Sequence, residues 1–197
     1  MEKSFNPQPV VLQSKIVRLE PLSLEHAKDL HEIGQEEIIW KYLPLEVPKN
    51  IEDTREWIGA ACEETEVGQE VAFAIIDRSG KKAIGSTRYL NILSDERILE
   101  IGYTWLATQY QRTRINTECK LLLLSHAFEE LGASLVRFKT DLRNESSKKA
   151  IERIGGLQES IIRNHKVGNI VRDSIFYGIT SSRWPEVKER LSRLLER

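Results

Sequence analysis

Cysteine is scarce: Cys62 and Cys119 are the only two in 197 residues. Both fall in stretches with helical periodicity and at no metal-ligand spacing. That excludes a disulfide-stapled scaffold and a cysteine-based metal module, and it fits a reducing, cytoplasmic setting. Net charge is scarce as well. Lys and Arg total 29 against 30 Asp and Glu, a formal charge of −1, so no global field draws the chain to nucleic acid or an anionic membrane. An anion site has to be built locally. Also missing are an apolar leader after Met1, a repeat, a low-complexity tract, and any apolar run near the ~20 residues of a membrane span.

What remains is the pattern of one domain of α/β (α+β) class with an appendage. Residues 1–9 are polar with two prolines and are expected as a flexible arm. Residues 10–180 form the domain, and 181–197 an amphipathic helix packed on it, with Val187, Leu191, Leu194 and Leu195 on one side. Val10 to Leu22 alternate as a strand or strand pair. Ser23 opens a short helix, where His26 stands in the place a capping box would give to Glu or Gln. A connection rich in aromatic and acidic residues follows, holding Glu37, Trp40 and Tyr42. Such aromatics either line a ligand pocket or pack the loop to the core. Asn50 caps the next helix, which turns Trp57, Ile58 and Ala61 inward and stops before Gly68.

Three stretches, EVAFAIID, KAIGSTRYLNI and ERILEIGYTWL, are rich in β-branched and aromatic residues. The short turn-like links between them predict an antiparallel meander. The third strand runs through a loop with Arg112 and Arg114 onto a long apolar helix starting near Thr117 and closed by Gly132. A helix N-terminus has unpartnered N–H groups and a partial positive charge, so this junction reads as a phosphate site or as an ordinary connection with solvated arginines. Ser134 to Asp141 returns as a strand parallel to the one before the loop. A helix capped by Asn144 follows, then a hairpin.

The order of these elements, with VRLEPLSLEHA, EIGYTWL running into QRTRIN, and NESSKKAIERIG, resembles the GNAT superfamily of acyl-CoA-dependent N-acetyltransferases. The likeness is strongest to the ribosomal-protein N-terminal acetyltransferase branch (RimJ/RimL-like). It implies a mixed, mostly antiparallel sheet with a splayed parallel strand pair, flanked by helices. It implies acetyl-CoA as acyl donor with no metal, and a primary amine as acceptor, either a protein N-terminus or a small molecule, acetylated by direct transfer in a ternary complex. Neither nucleic acid nor membrane is implied as a partner. A homodimer through the hairpin or the terminal helix is compatible with the pattern.

Carried onto this chain, the resemblance puts the donor along Trp105 and Leu106, with its pyrophosphate on Gln111, Arg112, Thr113, Arg114, Ile115, Asn116 and Thr117. Asn144 and Ser147 would border the pantetheine arm. The family usually has a small residue where Arg114 stands and another at Asn116. Arg114 would therefore either turn outward or block the groove, and blockage would leave a non-catalytic binding protein.

An ammonium with pKa near ~10 must lose a proton before it attacks a thioester, so a carboxylate is expected at the cleft. Glu100 is the first candidate, or else an edge carboxylate paired with an arginine. Strict alternation puts it on the face opposite Ile101, Tyr103 and Trp105. No Tyr occurs between Asn144 and Gly155 to protonate the leaving thiolate, which leaves Ser147 as candidate donor. Tyr177 and His165 are weaker alternatives. Trp40, Tyr42 and Glu37 are the candidate acceptor contacts.

Overall fold

Short links leave successive strands little choice but to lie beside one another, and the sheet follows from that. The computed structural model describes residues 5–196. Among them, eight strands form one sheet in the order β1-β2-β3-β4-β5-β6-β8-β7. The strands are β1 (Leu12–Gln13), β2 (Val17–Pro21), β3 (Val71–Asp77), β4 (Lys82–Leu93), β5 (Ile98–Leu106), β6 (Leu135–Asp141), β7 (Leu157–Val167) and β8 (Ile170–Thr180). Every pairing is antiparallel except that of β5 with β6. These two are joined through a helix, and such crossovers bring strands back parallel.

Helices cover both faces: α1 (Ala27–Ile33), α2 (Glu37–Trp40), α3 (Ile51–Glu66), α4 (Ile115–Ser125), α5 (Glu145–Arg153) and α6 (Trp184–Glu196). The larger core gathers Leu19, Phe73, Tyr89, Leu99 and Ile101 of the sheet with Leu123 and Leu124 of α4 and Leu191 of α6. The smaller core sets Leu30 of α1 and Ile58 of α3 against Ala72, Ala74 and Trp105. No helix among the described residues is long and apolar enough to cross a membrane.

Several local details depart from the sequence pattern. Residues 1–4 of the expected arm lie outside the described residues, and Phe5 packs into the larger core. His26 does complete a cap: its Nδ1 accepts from the Ser23 amide at 3.1 Å while Nε2 contacts Glu20 Oε1 at 3.0 Å. The imidazole supplies the acceptor that a glutamate would have supplied. The connection before α3 contains the single turn α2. Helix α4 starts at Ile115, two residues earlier than expected, and ends in a π turn over His126–Glu130 before Gly132 takes φ 70°.

Candidate active site

A gap opens in the sheet between β5 and β6. Their register holds for three pairs, Ile98 with Leu135, Leu99 with Val136 and Glu100 with Arg137. Beyond them β5 stays with β4 as far as Leu106, and β6 stays with β8 as far as Asp141. The facing edges of Gly102 to Leu106 and Phe138 to Asp141 are therefore not paired with each other. Backbone N–H and C=O groups along such edges need partners, and an extended, amide-bearing ligand supplies them as an added strand would.

A bulge lies at the mouth of this gap. Ser86 pairs with Trp105 and Arg88 with Gly102, so Tyr103 and Thr104 together face Thr87. Tyr103 adopts φ 48°, a conformation that costs an L-residue about 1–2 kcal/mol. The extra residue shifts the phase of β5 and corrects the strict alternation expected from sequence. Leu99, Ile101 and Leu106 join the core under α4, while Trp105 joins Trp40 on the other face. Glu100 thus shares its face with Trp105, and with Tyr103, whose ring lies 4.8 Å from the Arg88 guanidinium.

Glu100 is 4% exposed. Its Oε2 accepts from Asn91 Nδ2 at 2.9 Å and lies 3.6 Å from Lys139 Nζ. Asn91 reaches it from a second irregularity of β4, at φ 49°. A Cβ on Gly102 would come within 3.2 Å of Glu100 Oε1 and 2.9 Å of Leu90, so glycine keeps room beside the second oxygen. Lys139 of β6, His165 of β7 and Arg172 of β8 share the electrostatic surroundings of this carboxylate. The Arg172 guanidinium donates to the Tyr42 carbonyl at 2.6 Å. His165 Nδ1 is buried without a hydrogen-bond partner. Burial, then Lys139 and Arg172, push its pKa down, so the imidazole is neutral near pH 7.

At the other end of the gap, Gln111 Nε2 donates to the Leu106 carbonyl at 3.0 Å, and the Thr113 hydroxyl donates to the Tyr110 carbonyl at 2.6 Å. These bonds hold a tight turn whose residues from Gln111 to Arg114 are exposed. The left-handed conformation that favours glycine falls at Arg112, φ 59°, and not at Arg114, φ −70°. Arg114 donates to the Leu195 carbonyl of α6. Ile115 begins α4, and the amides of Asn116 and Thr117 are left as open donors of its first turn. Arg153 of α5 reaches the same turn, donating to Thr117 Oγ1 at 2.8 Å.

Asn144 caps α5, accepting from the Ser147 amide at 3.1 Å, and Ser147 beside it is half-buried. Tyr177 is buried, and its hydroxyl donates to Glu152 Oε1 at 3.0 Å. Burial and that carboxylate push its pKa up to about 12. Trp40, expected at the acceptor, packs instead: Nε1 donates to the Gly34 carbonyl at 2.7 Å, and its ring lies 5.1 Å from Trp105 and 6.4 Å from Trp57. The Trp105 side chain, expected along the donor, belongs to the same cluster, and Leu106 lies in the larger core. Tyr42 is half-buried beside Arg172, and Glu37 is exposed on α2.

The profile of the Acetyltransferase (GNAT) domain family matches residues 17–156, from β2 to just past the end of α5. The chain belongs to the GNAT acetyltransferase family. A solved structure from T. thermophilus, described as a putative acetyltransferase, is 32% identical, with 96% of this chain and 98% of that one covered at a TM-score of 0.86. The structure of RimJ from Mycobacterium smegmatis in complex with CoA-disulfide has the same fold, at 18% identity, TM-score 0.81 and coverage of 98% and 97%. YdaF of Bacillus subtilis, which carries the name of a ribosomal N-acetyltransferase, is 33% identical over 95 residues. That match covers 48% of this chain and 51% of YdaF, so the chain spans about half the length of this curated relative.

Within the GNAT frame, the unpaired edges and the open first turn of α4 fit an acyl donor with a peptide-like arm and a pyrophosphate. The groups sequence reasoning passed over are Asn91, Lys139, Arg172 and Lys120. Lys139 had only a weak signal, since β6 (LVRFKTD) also carries Arg137, Thr140 and Asp141. Asn91 had none, because its approach to Glu100 depends on a β4 irregularity.

Proposed function

We propose that this GNAT protein transfers an acetyl group from acetyl-CoA to the α-amino group of a protein N-terminus, by direct attack within a ternary complex. The observation that carries this reading is the placing of Glu100 at the last register pair before β5 and β6 part. The donor supplies an activated thioester. Its arm would lie along Gly102 to Leu106, and its pyrophosphate on the turn Gln111 to Arg114 and the amides of Asn116 and Thr117. Asn144 and Ser147 would border the arm from α5.

Glu100 takes the amine's proton. The Asn91 amide and the Lys139 ammonium hold one carboxylate oxygen, and the missing Cβ at Gly102 keeps room beside the other. An α-amine has a pKa near ~8, well below that of a lysine side chain, so one modest base is enough to neutralise it. Tyr42 and Glu37, at the rim, contact the acceptor, whereas Trp40 supports that rim from behind. The likeness to YdaF, named as a putative ribosomal N-acetyltransferase, favours a protein N-terminus over a polyamine or an amino sugar. The two free cysteines suit work in the cytoplasm.

The test is turnover with acetyl-CoA on a panel of N-terminal peptides and small amines, for the wild type and for Glu100→Gln. Peptides are expected to be the better substrates. The variant is expected to lose about 10²–10⁴-fold in kcat while binding acetyl-CoA with unchanged affinity. Full turnover in Glu100→Gln would remove the base from this scheme, and a preference for small amines would remove the peptide acceptor.

A further inference from the structure

Lys120 lies on the face of α4 that carries Leu123 and Leu124, and it is 6% exposed. Its ammonium donates to Thr104 Oγ1 at 2.8 Å and lies 5.9 Å from the centre of the Phe138 ring. Thr104 belongs to β5 and Phe138 to β6, and both lie past the last register pair of those strands. The charge therefore sits on the floor of the gap, between the two diverging edges. Thr104 Oγ1 is 2.8 Å from Thr87 Oγ1, so Thr104 can pass its own hydrogen to Thr87 while accepting from the lysine. An ammonium has three donors. Among the described residues Thr104 is the acceptor for one of them, and no carboxylate pairs with the charge. A buried charge so poorly compensated is costly and calls for an acceptor.

On the reading that acetyl-CoA enters this gap, we propose that Lys120 is a donor-binding residue whose ammonium hydrogen-bonds a carbonyl oxygen of the peptide-like arm where it crosses between Thr104 and Phe138. The bond would replace the missing acceptor and fix the depth of the arm against the floor of the gap. It would also tie donor affinity to the charge on this lysine. The neighbours make that linkage clean. Thr104 of β5, Thr87 of β4 and Phe138 of β6 are uncharged, and Arg153 of α5 is bound one turn away at Thr117. The adjacent Cys119 thiol, pushed up to about 12 by burial, does not ionise at neutral pH. Burial pulls the Lys120 pKa from 10.5 down to about 8, so near pH 8 about half the molecules carry a neutral amine. A carbonyl acceptor favours the charged form, so binding of the arm takes up a proton.

Calorimetric titration at pH 8 in two buffers of different ionisation heat tests this, with acetyl-CoA and, as a ligand lacking the arm, adenosine 3′,5′-bisphosphate. In Lys120→Met, affinity for acetyl-CoA is expected to fall about tenfold or more, and affinity for the bisphosphate to stay within about twofold. The wild type is expected to take up a fraction of a proton with acetyl-CoA beyond that with the bisphosphate, and Lys120→Met none. Equal acetyl-CoA affinity in the variant, or equal proton uptake with both ligands in the wild type, overturns the role of Lys120. The second readout needs no variant, so it stands even if Lys120→Met fails to fold. Absence of acetyl-CoA binding to the wild type overturns the acetyltransferase reading itself and this role with it.

Discussion

At neutral pH the Lys120 ammonium is held in the interior opposite a hydroxyl and an aromatic face, and it opposes folding. The sign follows from linkage. Its pKa in the fold, about 8, lies below its ordinary 10.5, so the penalty is full below pH 8 and fades as the unfolded chain also loses its proton toward pH 10.5. The size is of order 3 kcal/mol. Lys120→Met is expected to be more stable than the wild type in urea denaturation at pH 7, with the gap shrinking by pH 10. A gap that does not change with pH would assign the gain to packing alone. In the sequence Lys120 lay in plain view within TECKLLLLS, at helical spacing from Leu123, Leu124 and Ala127. Its direction into the gap was not legible, because that depends on where β5 and β6 separate. The resemblance singled out Glu100, and alternation set it opposite Ile101, but the faces of Tyr103 and Trp105 were not legible, since a single bulge residue reverses every side chain beyond it.

The elements around the gap are joined by bonds that local patterning does not reveal. The turn at Gln111 to Arg114 has a glycine-like conformation at Arg112 and a helical one at Arg114. Substituting glycine at these two positions is expected to act with opposite signs. Arg112→Gly relieves left-handed strain and should leave stability unchanged or raise it by up to about 1 kcal/mol. Arg114→Gly removes the bond to Leu195 and should cost about 1 kcal/mol, with faster amide exchange in the last turn of α6. Thermal denaturation of the two variants checks this, and a loss at Arg112 as large as at Arg114 would contradict it. The helices other than the single turn α2, the meander and the caps at Asn50 and Asn144 were legible, because capping chemistry and periodicity are local. The π turn at the end of α4 and the histidine cap at Ser23 were not, since neither has a residue pattern that sets it apart from an ordinary helix end.

Across the whole molecule, the gap interrupts an otherwise continuous sheet, and its closure by a ligand should be visible away from any one side chain. Acetyl-CoA is expected to slow amide exchange at the facing edges of Gly102 to Leu106 and Phe138 to Asp141 by about tenfold or more. At ligand about a hundredfold above Kd it should also stabilise the fold by about 2.7 kcal/mol. Protection confined to α6 and the hairpin, with these edges unchanged, would place the ligand elsewhere.

By itself the sequence determined the order and type of the elements, the parallel return of β6, and the presence of a basic turn before α4. Each of these rests on local periodicity, on caps and on the length of the links, which act over a few residues. Tertiary structure decided how far β5 and β6 stay together, that Trp40 and Trp105 pack against each other, that Arg114 answers to Leu195, and that Glu100 and Lys120 meet the gap from opposite faces. Those outcomes turn on a bulge and on three register pairs, and register is settled only when distant strands compete for the same backbone hydrogen bonds.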